Sequence, residues 1–285
     1  MTRIGLPLCL GVAVAVGLAF GVRPEFDLAL AGWFFDPPRG FWRSYDPLYL
    51  RLRDAATWLI ALIAAPTVVA PVLKLLRPQR PLTIPGRAVV LMLLTLVLAP
   101  GVVANLVFKE HWSRPRPIDV TEFGGSEHFR PWWDPRGDCP KNCSFVAGEP
   151  SGAFWTLAPA MLTPPPWRAL ATAAALAFGT AVGALRMAAG AHFFTDVVFA
   201  GVFSFLVIWL VHGWLYRWPR TRISDRDVEQ ALERVRGRRP SAGGSGAAPA
   251  SVDVPAGIPL TLHVLSQRKS DLCVSFLTQP GVRPP

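Results

Sequence analysis

The stretch Leu91-Met-Leu-Leu-Thr-Leu-Val-Leu-Ala99 lies within residues 88–108, a run that contains no charged residue. A helix needs roughly 20 mostly apolar residues to cross the hydrocarbon core of a bilayer, and this run has that length. The run therefore predicts a transmembrane helix. A length of 285 residues would also suit one or two soluble domains, but a composition that is 51% hydrophobic and arranged in such runs argues against them.

Five further apolar runs predict an all-α integral membrane bundle of about six transmembrane helices. The run at 149–164 is short and ends at the three prolines 164–166. The run at 168–187 is rich in alanine and glycine, which favours close packing between helices. The six predicted spans are 4–22, 55–76, 88–108, 149–164, 168–187 and 193–215.

The first run allows two interpretations, a cleaved signal peptide or an uncleaved helix. The absence of a small-x-small cleavage site near its end favours the uncleaved helix. Residues 24–54 follow as an aromatic-rich loop, which we expect either to anchor at the membrane interface or to shape an entrance for lipid.

Basic residues in short loops predict the orientation of the bundle, because cytoplasmic loops carry an excess of lysine and arginine. With six spans, all the basic loops fall on one side together with Arg3, and loop 109–148 falls on the other. The net charge of +10 follows this pattern and forms no basic face interleaved with aromatic residues, so we expect no nucleic-acid partner. The basic loop residues are Lys74, Arg77, Arg80, Arg87, Arg168, Arg217, Arg220, Arg222 and Arg226.

Three polar stretches lie beside the apolar runs, at 109–117, 144–153 and 186–196. Cations and an ionisable histidine at a membrane boundary are costly unless they are paired or functional. Lys109, Arg116 and Arg186 are suited to hold the oxygens of a phosphate group, and the planar guanidinium contacts two oxygens at once. The stretches therefore predict one phosphate-handling site on the side of loop 109–148.

His192 and Asp196 are four residues apart, which on a helix places both on one face. An aspartate in that position can accept a hydrogen bond from one ring nitrogen and fix the tautomer. The other nitrogen is then available as a nucleophile. The spacing predicts this pairing, although such a pair also occurs by chance on many helices.

The order and spacing of these residues resemble the type 2 phosphatidic acid phosphatase superfamily, over about residues 25–216. That family's first pattern is Lys-x6-Arg-Pro and its third is Ser-Arg-x5-His-x3-Asp. Leu185 replaces the serine of the third pattern. The matching residues are Lys109, Arg116 and Pro117 in the first pattern, and Arg186, His192 and Asp196 in the third.

The second pattern of the family, Pro-Ser-Gly-His, is altered here. One alignment keeps Gly148 and places Glu149 at the histidine position, whereas a shifted alignment uses Ser151 and Gly152 and places Ala153 there. We prefer the first, because it leaves an ionisable group where the family's histidine protonates the leaving oxygen. Glu149 is then predicted to be the acid, and backbone N–H groups near Gly148 are predicted to bind phosphate.

The resemblance implies a metal-independent phosphatase without cofactors that forms a phosphohistidine at His192. It implies hydrolysis of a lipid phosphate or diphosphate at the periplasmic face of a bacterial inner membrane, with both termini cytoplasmic. Lipid A phosphate, undecaprenyl diphosphate, phosphatidylglycerol phosphate and phosphatidic acid remain possible substrates. Two alternatives remain: a degenerate protein that binds lipid phosphate without hydrolysing it, and a lipid phosphotransferase. No protein partner can be inferred.

Cys139 and Cys143 lie in the outward loop, where an oxidising compartment favours a disulfide over two free thiols. Residues 1–216 are predicted to form the membrane phosphatase domain, and 217–285 a cytoplasmic basic helix with a tail. The helix is expected at 224–236, with Ser224 or Asp225 as its N-cap. The composition after residue 237 predicts a disordered tail.

Overall fold

The computed structural model describes residues 4–235. These residues form helices, and no β-strand is found among them. The predicted all-α bundle is therefore confirmed in this part of the chain. The expected tail beyond residue 237, and Arg3, lie outside the described residues. The helices are α1 Gly5–Val22, α2 Glu25–Gly32, α3 Pro47–Leu76, α4 Gly86–His111, α5 Gly148–Phe154, α6 Leu157–Leu162, α7 Pro165–Ala188, α8 Phe194–Arg217 and α9 Asp225–Val235.

Five of these helices (α1, α3, α4, α7 and α8) are long and apolar enough to cross a membrane. They correspond to five of the six predicted spans. Helix α3 begins eight residues before the predicted start at 55, so part of the expected loop 24–54 is helical. The cause is local: Asp46 accepts hydrogen bonds from the N–H groups of Leu48 and Tyr49, and Pro47 occupies the first helical position.

The sixth predicted span, 149–164, is two short helices, α5 and α6, rather than one continuous helix. Pro159 has no N–H to donate to the carbonyl of Trp155, and Ala158 N donates to that carbonyl instead. The pair still runs along α7. Glu149 at its start contacts Arg186, and Leu157 near its middle packs in one cluster with Ala175. Most of α5 and α6 is buried, so protein rather than lipid surrounds it.

Glycines of α7 and α8 make room for one large side chain of α5, Phe154. A Cβ atom added to Gly179 would collide with the ring of Phe154, and one added to Gly201 would lie 3.2 Å from it. Phe154 belongs to a buried cluster with Phe145, Val197 and other residues. The close helix packing expected from the alanine- and glycine-rich composition of 168–187 is thus present.

Helix α4 changes its winding in its second half. Residues Val97–Phe108 follow a wide π-type helix that contains Pro100. A proline removes one helical hydrogen bond and crowds the preceding turn, and a wider turn accommodates it. Asn105 Nδ2 donates to the Pro100 carbonyl oxygen at 2.7 Å. This half of the helix leads directly to Lys109.

Helix α9 packs against the last part of α3 and the first part of α4. The side chain of Lys74 is buried, and its Nζ lies 2.7 Å from Glu229 and 2.9 Å from Glu233. Ser224 Oγ accepts from the N–H of Asp227 at 3.1 Å, so the predicted cap precedes the predicted helix. Helix α3 has 30 residues, about 45 Å, and carries Arg53 near its other end. One end of α3 thus carries a buried lysine paired with two glutamates, and the other end carries Arg53.

Candidate active site

His192 lies in the turn between α7 and α8 and is 2% exposed. The turn requires glycine at position 190, where φ is +66° and any Cβ would meet the ring of Phe41. The Gly190 carbonyl accepts from Ile118 N at 2.9 Å, which ties the turn to the segment that follows α4. His192 therefore precedes α8 and is not on the helix, contrary to the sequence interpretation.

A backbone carbonyl fixes the orientation of the His192 ring. Nδ1 lies 2.8 Å from the Ser144 carbonyl oxygen, whereas it lies 3.8 Å from Asp196 Oδ2. Since a carbonyl can only accept, Nδ1 carries the proton, and Nε2 has a free lone pair. The expected hydrogen bond between His192 and Asp196 is thus replaced by one to Ser144. Burial lowers the pKa of His192 to about 4, so the ring is neutral at neutral pH.

Asp196 contacts the turn that carries His192 through Ser144 and Phe193 rather than through the histidine ring. Its Oδ2 accepts from Ser144 Oγ at 2.5 Å and from Phe193 N at 2.8 Å. The contact with Phe193 N caps the first turn of α8. The contact with Ser144 Oγ holds the segment whose carbonyl orients His192. Asp196 therefore positions the histidine indirectly, through Ser144 and Phe193.

Arg114 is completely buried and holds two carboxylates. Its Nη1 lies 2.5 Å from Asp196 Oδ1, and its Nη2 lies 2.8 Å from Asp27 Oδ2. Thr195 Oγ1 accepts from Arg114 Nη1 at 2.8 Å and donates to Asp27 Oδ2 at 2.5 Å. The guanidinium stacks over the ring of Phe193 at 4.4 Å. Sequence reasoning gave Arg114 no role. The only signal was the doubled Arg-Pro of residues 114–117.

Lys109 and Arg116 meet at Asn142, a residue that the sequence did not single out. Lys109 Nζ donates to Asn142 Oδ1 at 3.2 Å, and Arg116 Nη2 donates to the Asn142 carbonyl at 2.7 Å. A Cβ at Gly148 would lie 2.6 Å from Asn105 Oδ1 and 3.3 Å from Lys109 Cε. A larger residue at position 148 would displace the side chains of Asn105 and Lys109, so the start of α5 approaches the cation closely.

Glu149 lies between two arginines. Its Oε1 accepts from Arg53 Nε at 2.9 Å and from Arg53 Nη2 at 2.6 Å, and its Oε2 lies 3.2 Å from Arg186 Nε. The last contact does not have hydrogen-bond geometry. Arg186 Nε is buried without a hydrogen-bond acceptor in the part of the chain that the structure describes. Two guanidinium groups favour the ionised form of the carboxylate. Arg53 is 96 residues away in sequence and was not predicted.

The loop that carries Asn142 is closed by Cys139 and Cys143, whose sulfur atoms are bonded in the structure. Cys143 N donates to the Lys109 carbonyl at 3.0 Å, and Cys139 N donates to that of Ser113. The loop thus lies against the first motif, at Lys109 and at Ser113. It holds Asn142 between Lys109 and Arg116.

The structure brings together all the predicted polar site residues: Lys109, Arg116, Gly148, Glu149, Arg186, His192 and Asp196. The buried imidazole has a free Nε2, and Lys109 and Arg186 both contribute to its lowered pKa. Arg116 joins this group through Asn142, which it shares with Lys109. This arrangement suits a nucleophile that attacks a group held by fixed positive charges. Among residues 4–235, no group of three or more His, Cys, Asp or Glu side chains is arranged to hold a metal ion.

Comparison with known proteins gives one family and several relatives. A model of the PAP2 superfamily matches residues 88–220. Lipid A 4'-phosphatase of Francisella tularensis subsp. novicida is 41% identical over 132 residues, which are 46% of this chain and 60% of the relative. Lipid A 4'-phosphatase of Rhizobium leguminosarum is 39% identical over 113 residues, or 40% of this chain and 48% of the relative.

A third lipid A 4'-phosphatase, from Rhizobium etli, is 35% identical over 112 residues, which are 39% of this chain and 44% of the relative. The chain therefore matches about half of the length of these relatives. No solved structure matches the chain. The family match includes Lys109, Arg116, Arg186, His192 and Asp196, and it begins at residue 88, so it does not extend to α1, α2 and α3. Residues 88–220 of the chain are therefore similar to the PAP2 superfamily.

Proposed function

We propose that this protein is an integral membrane phosphatase that hydrolyses a lipid phosphate at the periplasmic face of a bacterial inner membrane. The observation that carries the proposal is the neutral, oriented imidazole of His192 among Lys109, Arg116 and Arg186. A nucleophile with a free lone pair beside three fixed cations is the arrangement that phosphoryl transfer needs.

In the first step, Nε2 of His192 attacks phosphorus while Lys109, Arg116 and Arg186 hold the non-bridging oxygens. The N–P bond forms, and the bond from phosphorus to the lipid oxygen breaks. The Ser144 carbonyl keeps the proton on Nδ1 and stabilises the positive charge that develops on the ring. The product is a phosphohistidine and a lipid alkoxide that takes up a proton.

Glu149 is the proposed source of that proton, as the sequence suggested. Its contacts with Arg53 and Arg186 favour the carboxylate, so Glu149 becomes the acid by taking a proton from water while Arg186 turns towards the phosphate. In the second step, the Glu149 carboxylate takes a proton from the water that attacks the phosphohistidine, the N–P bond breaks, and inorganic phosphate leaves. This transfer restores the proton that Glu149 gave to the alkoxide. Neither step uses a metal ion or a cofactor in this proposal.

The relatives favour one substrate among those that the sequence left open. All three relatives are lipid A 4'-phosphatases. We therefore propose a phosphomonoester of a lipid A type glycolipid as the substrate. Phosphatidic acid, phosphatidylglycerol phosphate and undecaprenyl diphosphate are the comparison substrates.

The proposal is tested by measuring phosphate release by the purified protein from these four lipids, with and without a chelator. We expect release from the glycolipid phosphate, unaffected by chelation and absent in the His192→Gln variant. The exposed His128 provides the matched control, because His128→Gln should retain activity. Release that disappears with chelator would contradict the metal-free mechanism, and release by His192→Gln would contradict the nucleophile.

A second candidate function is the binding of a lipid phosphate without hydrolysis. The ion pairs of Glu149 with Arg53 and Arg186 favour it, because a carboxylate held by two arginines is a poor proton donor. Tight binding of the glycolipid phosphate without release of phosphate from any lipid would support this function over the first.

A further inference from the structure

A cavity of about 200 Å³ lies beside the candidate active site, between the start of α3 and the end of α7. Arginine side chains dominate its polar lining, and no aspartate or glutamate among residues 4–235 lines it. Part of its wall is apolar, as expected for a space that receives a lipid headgroup. The four arginines are Arg43, Arg53, Arg116 and Arg186, and the apolar residues include Leu50 and Leu185.

Two of these arginines are not explained by the reaction at His192. Arg116 and Arg186 belong to the motifs that hold the reacting phosphate, but Arg43 and Arg53 precede residue 88, where the family match begins. They come from the segment before α3 and from its first turns. The cavity therefore contains more positive charge than one phosphate group requires.

The side chains of Arg43 and Arg53 are oriented by neighbours that leave donors free. Arg53 uses Nε and Nη2 for Glu149, whereas its Nη1 donates to none of the described residues. The guanidinium of Arg43 stacks over the rings of Trp42 at 4.5 Å and Tyr49 at 5.7 Å, and it pairs with no carboxylate among residues 4–235. Stacking on aromatic rings leaves the edge of a guanidinium available to an anion.

We propose that Arg43 and Arg53 form a second anion subsite, which binds a second phosphate group on the headgroup of the same lipid. The inference rests on the proposed function, since it takes the cations around His192 as the subsite for the phosphate that is removed. The substrate class is then a lipid whose headgroup carries two separated phosphates. A lipid with one phosphate leaves Arg43 without an anionic partner and binds less tightly.

The test uses two disaccharide lipids that differ only in whether a second hydroxyl carries a phosphate. Their dissociation constants are measured with His192→Gln protein in detergent, so that binding is separated from turnover. A hydrogen-bonded charge pair of this kind is expected to make the lipid with two phosphates bind at least about tenfold more tightly. The ratio of kcat/KM for the two lipids with wild-type protein should show the same preference.

Substitutions then locate the subsite. Arg43→Gln in the His192→Gln background should bring the ratio of the two dissociation constants close to one, and Arg43→Lys should retain part of it. Arg51→Gln is the matched control, because Arg51 is an exposed arginine on α3 that does not line the cavity. It should leave the ratio unchanged.

Each outcome has one meaning. Equal binding of the two lipids by the protein with Arg43 and Arg53 intact would overturn the subsite. So would a preference that persists in both Arg43→Gln and Arg53→Gln. A preference in binding without turnover of either lipid by wild-type protein would support the subsite and contradict the proposed phosphatase function instead.

Discussion

Arg114 Nη1 lies 2.5 Å from Asp196 Oδ1, at a point where neither side chain is exposed to solvent. The same guanidinium binds Asp27 of α2 at 2.8 Å, so one buried cation joins α2, α8 and the segment after α4. Asp196 in turn accepts from Ser144 Oγ and from Phe193 N, and the Ser144 carbonyl contacts the His192 ring. The position of His192, the proposed nucleophile, therefore depends on a buried charge network.

We predict that Arg114→Ala strongly destabilises the protein, because it leaves Asp27 and Asp196 buried without a counter-charge. Removing one partner of a buried pair typically costs about 3–5 kcal/mol. Unfolding of the detergent-solubilised protein, followed by circular dichroism, measures the loss. Arg136→Ala is the matched control: Arg136 also pairs with an aspartate, but its side chain is 79% exposed, and Tm should hardly change.

A second substitution separates the effect of the lost charge of Arg114 from that of its lost packing. If uncompensated charge is the cause, Asp27→Asn added to Arg114→Ala should restore part of the lost stability. Equal destabilisation by Arg114→Ala and Arg136→Ala would contradict the network. Failure of Asp27→Asn to restore stability would show that lost packing over the Phe193 ring dominates.

His192 makes the stability of the protein depend on pH in a defined direction. Burial lowers its pKa from 6.5 to about 4 in the folded state, so the unfolded chain binds the extra proton first as pH falls. The free energy of unfolding should therefore decrease between about pH 6.5 and pH 4 and be unaffected above that window. The contribution is up to about 3 kcal/mol at its lower end.

Measuring the free energy of unfolding at several pH values between 4 and 8 tests this prediction. His192→Gln should reduce the dependence, whereas substitution of the exposed His111 by glutamine should retain it in full. Identical pH profiles for wild type and His192→Gln would show that the ring is not held neutral by burial.

Glu149→Gln tests the proposed acid. The substitution keeps the shape and removes the proton, and an acid near the scissile bond typically contributes about 10²–10⁴-fold to the rate. Turnover of the lipid should fall within that range, with a smaller loss for an aryl phosphate, whose leaving group needs little protonation. Glu149→His should restore part of the activity.

Arg53→Gln is the control for the ion pairs of Glu149. It removes the arginine that donates two hydrogen bonds to Glu149 and leaves the carboxylate in place. Equal losses of Glu149→Gln on the lipid and on the aryl phosphate would show that Glu149 positions Arg186 rather than donating a proton. Full activity of Glu149→Gln would favour the alignment through Ser151 and Gly152.

The sequence predicted most of the site but not the contacts that hold it. Lys109, Arg186 and His192 were found because motif spacing is a local property of the chain. Asp27, Arg53 and Asn142 were missed, because their roles depend on partners 33 to 168 residues away.

The differences in the fold have similar causes. Apolar runs predicted five long helices within a few residues at most ends, because the hydrocarbon core sets their length. Periodicity did not predict that Pro159 divides 149–164 into two helices, or that α8 begins after His192. In both places, a hydrogen bond outside a regular helix replaces the expected one: Ala158 N to the Trp155 carbonyl, and Nδ1 of His192 to the Ser144 carbonyl.

The sidedness of the site is predicted from the basic loops alone. In a background without Cys9 and Cys273, a cysteine at the exposed Ser126 should react with a membrane-impermeant reagent in intact spheroplasts. A cysteine at the exposed Arg80 should react only after lysis. The reverse pattern would place the site in the cytoplasm.

The most direct test of the central claim, a phosphohistidine at His192, is the stereochemical course at phosphorus. The substrate is a lipid thiophosphate that carries two different oxygen isotopes on phosphorus, and hydrolysis in water enriched in the third isotope releases a chiral inorganic thiophosphate whose configuration is analysed. Two successive in-line displacements, by Nε2 and then by water, predict overall retention of configuration. Inversion would mean that water attacks the lipid phosphate directly, and it would contradict the covalent role of His192.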